Sequence, residues 1–108
     1  MEEEILYLYQ EPAIGASYTN TYGEENIRNL LDKYCSLDNE GMQQMMKMVV
    51  NFSQSTDLAT SFVSVGVLHA LGQNEGVAEA YCWANKQEDA ERIVSHFEIG
   101  KSVADYFS

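Results

Sequence analysis

The sequence predicts an α+β fold: a small antiparallel sheet packed by about three helices. Three observations carry that expectation. Val63, Val65 and Val67 alternate with Ser64, Gly66 and Leu68, the period of two that marks a strand. Val77, Glu79, Tyr81 and Trp83 alternate with Ala78, Ala80, Cys82 and Ala84 in the same way. Between them Gly72-Gln-Asn-Glu-Gly76 offers two glycines and an asparagine for a turn that needs positive φ. In the resulting hairpin, near 61–84, Leu71 faces Val77, His69 faces Glu79, Val67 faces Tyr81 and Val65 faces Trp83. Small residues (Ser64, Gly66, Ala78, Ala80, Cys82, Ala84) line the other side, where a helix could approach closely.

The remaining elements follow along the chain. Ile5–Tyr9 is short, branched and aromatic and reads as an N-terminal strand that Pro12 ends. Gln10–Tyr22 is loop, with Tyr18 and Tyr22 half exposed. Thr21-Tyr-Gly-Glu24 matches a capping box, and Ile27, Leu30, Leu31 and Tyr34 then recur at helical spacing, which predicts a helix over 24–36. Asp38 or Asn39 can cap a second helix over 40–53, whose Met42, Met45, Met46, Val49 and Phe52 form an apolar face suited to the core. Asn85-Lys-Gln-Glu88 repeats the capping pattern before a helix over 87–97, with Glu88 and Arg92 spaced to pair and Gly100 as its stop. Lys101–Ser108 reads as a short helix or an edge strand.

An all-α bundle is the alternative. Asp57, Leu58, Phe62, Val65 and His69 also fit a helix ending at Gly72, and 77–84 is rich in helix formers. A single helix running on through 97 is excluded, because Val77, Tyr81 and Ala84 point almost opposite to Ile93, Val94 and Phe97. The chain must break near Asn85, and a strand followed by a helix supplies that break.

The 108 residues suit one domain with a core that needs neither metal nor disulfide. Seventeen acidic against six basic side chains leave a formal net charge of -11. Such a field repels nucleic acid and anionic membranes and attracts basic proteins. The acids lie at the two ends of the chain, while 41–72 carries only Asp57 and Lys47. A start of three glutamates is not a secretory signal, and no apolar run reaches the ~20 residues of a membrane span. Two cysteines do not make a disulfide scaffold, so a cytoplasmic protein with reduced thiols is expected.

No motif commits the chain to a reaction or a cofactor. There is no glycine-rich phosphate loop, and Asp38-Asn-Glu-Gly lacks the spacing of a calcium loop. Cys35, His69, Cys82 and His96 stand singly, so a zinc site would require folding to gather all four. His69 with Glu79 could form an acid–base dyad in a small enzyme or ligand-binding domain, though a cross-strand ion pair is the plainer account. Cys82, on the small-residue face, is expected to be buried and inert beside any pairing with His96. Self-association through the 42–52 face or a sheet edge would make the chain an assembly subunit.

The run Gly76–Glu91 is faintly similar to one unit of a Sel1-type helical repeat. It covers that one unit without the regular Gly and Ala spacing, so no solenoid is expected. In size and charge the chain is similar to bacterial immunity proteins and anti-defence inhibitors. That resemblance implies a non-enzymatic inhibitor of a basic partner, most plausibly a nuclease toxin, with carboxylates mimicking phosphates and aromatics supplying packing. The residues for such an interface are Tyr18 and Tyr22 with Glu24, Glu25 and Asp32, or Glu75 and Glu79 with Glu88 and Asp89.

Overall fold

The computed structural model describes residues 1–107. They are 77% helical, in six α-helices and two 3₁₀ turns, and no strand occurs among them. The expected α+β fold, with its hairpin near 61–84 and its strand at Ile5–Tyr9, is therefore corrected to an all-helical bundle. The helices are α1 (Glu2–Gln10), α2 (Glu24–Ser36), α3 (Asn39–Phe52), α4 (Leu58–Ala70), α5 (Asn74–Asn85) and α6 (Ala90–Ala104). Short 3₁₀ turns at Tyr18–Asn20 and Asp105–Phe107 complete the order.

The fold is built round α4. Every residue from Ser61 to Leu68 is buried, serines and glycine included. A helix covered on all sides loses its amphipathic period, because no face has to be polar. The Val63–Val65–Val67 alternation is thus no strand signal. The small residues between the valines are enclosed too, each against a close neighbour. Ser64 bonds back to the Thr60 carbonyl and meets the Tyr9 hydroxyl at 2.6 Å. Gly66 lies against α6 at Gly100. A Cβ added at Gly100 would stand 2.4 Å from the Phe62 carbonyl oxygen, and one at Gly66 would stand 2.9 Å from the Gly100 oxygen. The hydrogen occupying that place on Gly100 aims at the Phe62 carbonyl, the geometry of a Cα–H···O contact.

The expected hairpin turn is a helix stop. Gly72 adopts φ +70°, as the sequence reading required, but in a Schellman motif. The Gly72 N–H donates to His69 O and the Gln73 N–H donates to Leu68 O. Gly76 then sits inside α5 against Leu68. Ala80 and Ala84 continue that buried edge, while Val77, Tyr81 and Trp83 pack around it half-buried. The required break near Asn85 is present between two helices. Asn85 Nδ2 donates to Tyr81 O and Gln87 Nε2 to Trp83 O, so these residues close the end of α5 rather than cap α6. The latter runs past Gly100, the expected stop, to Ala104. The segment read as helix or edge strand thus ends α6 and forms the last 3₁₀ turn; Ser108 lies outside the described residues.

Residue range 24–36 for α2 matches the expectation, although its N-cap is Gly23 and not Thr21. Asp38 caps α3, accepting from Gly41 N at 2.7 Å. Of the methionine face, Met45 and Val49 are fully buried and Met46, Met48 and Phe52 pack at the margin. In α1, Ile5 is buried and Tyr9 packs edge-on against Phe52, their centroids 5.0 Å apart.

Two buried asparagines tie the 11–23 loop to this frame. Asn26 Nδ2 donates to Leu8 O and Pro12 O. Asn20 Nδ2 donates to Asn26 Oδ1 at 2.9 Å and reaches Pro12 O and Ala13 O. Asn20 Oδ1 in turn accepts from Glu25 N at the first turn of α2. The loop's polar groups are met inside the protein, which fixes where Tyr22 and Glu24 emerge.

Tyr9 links packing to pH. Its ring keeps partial exposure, but burial around the phenol oxygen raises its pKa well above 10, and the Ser64 bond only partly offsets this. The folded state therefore holds the proton more tightly than the unfolded chain. Stability is complete below about pH 10 and falls as pH rises beyond it, by roughly 1 kcal/mol from Tyr9 over the first pH unit. Alkaline unfolding followed by circular dichroism should show a shallower decline for Tyr9→Phe than for the wild type. Parallel declines would refute the assignment.

Candidate functional site

The structure separates the acidic residues expected to form an interface. Asp32, Glu75, Glu79, Glu88 and Asp89 are exposed, and Glu24 and Glu25 are half-buried. Glu24, Arg28 and Asp32 fall on one face of α2 at spacings of four, so a cation stands midway between the two acids. Glu25 is engaged by Thr19 Oγ1 at 2.9 Å. Glu75 and Glu79 share a face of α5, whereas Glu88 and Asp89 lie beyond the far end of that helix. The hollow beside Glu88 and Asp89 also holds Lys86 and Arg92, and Arg92 lies 4.0 Å from Asp89 rather than pairing with Glu88. These acids are thus partly compensated or scattered.

One subset differs. Tyr22 and Glu24, at the start of α2, line a groove of about 570 Å³ with Glu98, Ile99 and Tyr106 from the end of α6 and the turn after it. None of its lining residues is basic. Tyr22 is 52% exposed, Ile99 37% and Tyr106 88%, so large apolar surface faces solvent in a groove that two carboxylates also line. Tyr18, 98% exposed, projects from the preceding 3₁₀ turn and is not part of the lining.

Both carboxylates are held in place. Glu24 Oε2 accepts from Tyr22 N at 2.8 Å, and Glu98 Oε1 accepts from the Tyr81 hydroxyl at 2.8 Å. Burial, and secondarily the negative Glu98, push the Tyr81 phenol upward, so it stays a donor at neutral pH. Tyr81 is itself fixed, edge-on to Phe97 with Lys101 Nζ 5.4 Å from its centroid.

Glu98 and Ile99 lie beyond the 87–97 helix that the spacing predicts, and Tyr106 lies past the expected stop at Gly100, so none of the three is a sequence-predicted site residue. The spacing of Ile99, Val103 and Tyr106 continues the helical period past that glycine and carries the missing signal.

The other chemical expectations resolve as follows. His69 Nε2 lies 2.9 Å from Asp105 Oδ1, joining the end of α4 to the last turn, and the pairing with Glu79 is not formed. His96 Nδ1 bonds the Arg92 carbonyl. Cys35 and Cys82 are both exposed thiols, so Cys82 is not buried as expected. It projects outward because Gly76, Ala80 and Ala84, and not residue 82, take the inner face of α5. Among the described residues no three His, Cys, Asp or Glu side chains converge to hold a metal, and no helix is long and apolar enough to cross a membrane.

No family model matches the chain, and neither a curated protein nor a solved structure matches it.

Proposed function

We propose that the protein is a non-catalytic acidic binding protein that inhibits a basic protein partner, and that the groove between the start of α2 and the end of α6 is its contact face. The observation that supports this reading is the combination in one groove of exposed Tyr22, Ile99 and Tyr106 with Glu24 and Glu98, and no lining cation. Aromatic anchors supply binding energy where they are desolvated, while carboxylates and a net charge of -11 speed encounter with a positive surface. The finer form of the proposal is an immunity protein that covers the cationic cleft of a nuclease toxin in the bacterial cytoplasm.

Capture from a cell lysate on immobilised protein, followed by a salt gradient, tests the reading. The retained proteins should be basic, elute as salt rises, and lose at least about tenfold in affinity to the double variant Glu24→Lys/Glu98→Lys, since each such contact contributes on the order of 1 kcal/mol or more. Retention unchanged by the charge reversal would refute this face. A captured nuclease that keeps full activity when saturated would refute the inhibitory role.

A further inference from the structure

We infer that the α2–α6 groove is an arginine receptor: it takes a guanidinium of the partner between its tyrosine rings and its two carboxylates, in preference to a lysine ammonium. The inference rests on the proposed contact face and names the chemistry that would occupy it.

Four features select the planar cation. First, the groove is lined by two carboxylates and no basic side chain, Arg28 on α2 and Lys101 on α6 standing outside the lining, so an incoming cation meets acceptors of the right kind there. Second, the two carboxylates are each anchored through one oxygen, Glu24 by its neighbour's amide and Glu98 by Tyr81. A carboxylate has about four lone-pair directions, so each keeps capacity for a further donor. An anchored acceptor gives up less rotamer entropy on binding than a free one. Third, the remaining lining is apolar and aromatic apart from Ser102. A compact ammonium is strongly hydrated and loses that water poorly against such a surface. A guanidinium is weakly hydrated, stacks on rings, and offers its five donors in a plane. Fourth, the protein already binds a cation by its own aromatic system one turn away, with Lys101 over Tyr81. That lysine sits on the far partner of Glu98, outside the groove lining, and leaves the Tyr22 and Tyr106 rings for another cation.

The test uses short peptides as probes, because the partner need not be known. Acetylated Gly-Arg-Gly-Arg-Gly amide and its Lys counterpart are titrated separately into the ¹⁵N-labelled protein at low and physiological salt. The arginine peptide should shift the amides of Tyr22, Glu24, Ile99 and Tyr106 and bind at least about threefold more tightly than the lysine peptide, the discrimination expected of stacking at a partly exposed site. Tyr106→Leu should erase that preference while leaving the lysine peptide's affinity unchanged. Glu24→Gln/Glu98→Gln should weaken the arginine peptide at least tenfold.

Equal affinity of the two peptides, or shifts spread over α5 and the 85–89 turn, would overturn the inference in favour of a diffuse acidic field. The two readings fail separately. If the arginine peptide shows no preference but Glu24→Lys/Glu98→Lys still abolishes capture of a basic partner, the contact face stands and the arginine receptor falls. If the peptide binds as expected but capture is indifferent to the charge reversal, the receptor stands and the proposed partner face falls.

Discussion

Gly100→Ala should lower the stability of the protein by about 1–2 kcal/mol. The added methyl would stand 2.4 Å from the Phe62 carbonyl oxygen and 3.2 Å from its carbon. Both obstacles are backbone of a helix buried on every side, so neither can swing away. The helices must part, and overpacking of this kind costs ~1–3 kcal/mol before the loosened contacts of Phe97 and Val103 are included. Alanine's better helix propensity returns only ~1 kcal/mol. Gly66→Ala should be milder at its Ile27 contact, where a side-chain tip at 2.8 Å can turn, but it still meets the Gly100 oxygen. Urea denaturation is the measurement, with a lower midpoint and an unchanged slope expected. A Gly100→Ala protein as stable as the wild type would show that the α4–α6 crossing is not as close as described.

Asn26→Ala should cost about 3 kcal/mol and free the 11–23 loop. The substitution removes two donors from Leu8 O and Pro12 O and one acceptor from Asn20, all at a fully buried position. Each buried polar group left without a partner costs ~1–3 kcal/mol, and Asn20 retains only its weaker bonds to Pro12 O and Ala13 O. Asn26→Leu, which restores volume without the hydrogen bonds, should recover little of the loss. Amide exchange should accelerate at Gly15, whose N–H donates to Asn20 O, and at Glu25, whose N–H donates to Asn20 Oδ1. Loss of global stability with both amides still protected would contradict the clip.

The parts of the fold legible in the sequence are those with one wet face. Helices α2 and α3 show Ile27, Leu30, Met45 and Val49 against a polar side, and spacing places them within one residue of their observed bounds. The parts that misled are those where burial ignores size. On α4 the core includes Ser61, Ser64 and Gly66, which carry no hydrophobic signal, so the valines alone traced a false period of two. On α5 the inner edge is Gly76, Ala80 and Ala84, while the bulky Tyr81 and Trp83 flank it half-buried, so side-chain size does not mark the buried face. In α1, Ile5, Leu8 and Tyr9 are spaced for a helix, but their branched and aromatic character outweighed that spacing. For the candidate site, Tyr22 and Glu24 could be chosen from charge and aromatic content. The signal for their partners Glu98, Ile99 and Tyr106 is the spacing of residues 99, 103 and 106, which taking Gly100 as a stop hides.

The position of α4 in the chain has a consequence during synthesis. Its inner neighbours α1, α2 and α3 precede it, but α6, which covers the Gly66 side, follows it and α5. Roughly 30 residues must still be added after α4 is complete, which at typical elongation rates takes roughly 2–6 s. Through that interval a strongly apolar helix, Phe62 to Leu68, lacks its closest cover. Nascent chains stalled with Gly72 just clear of the ribosomal exit tunnel should therefore engage chaperones that bind apolar segments, and chains stalled with Ala104 clear of it should release them.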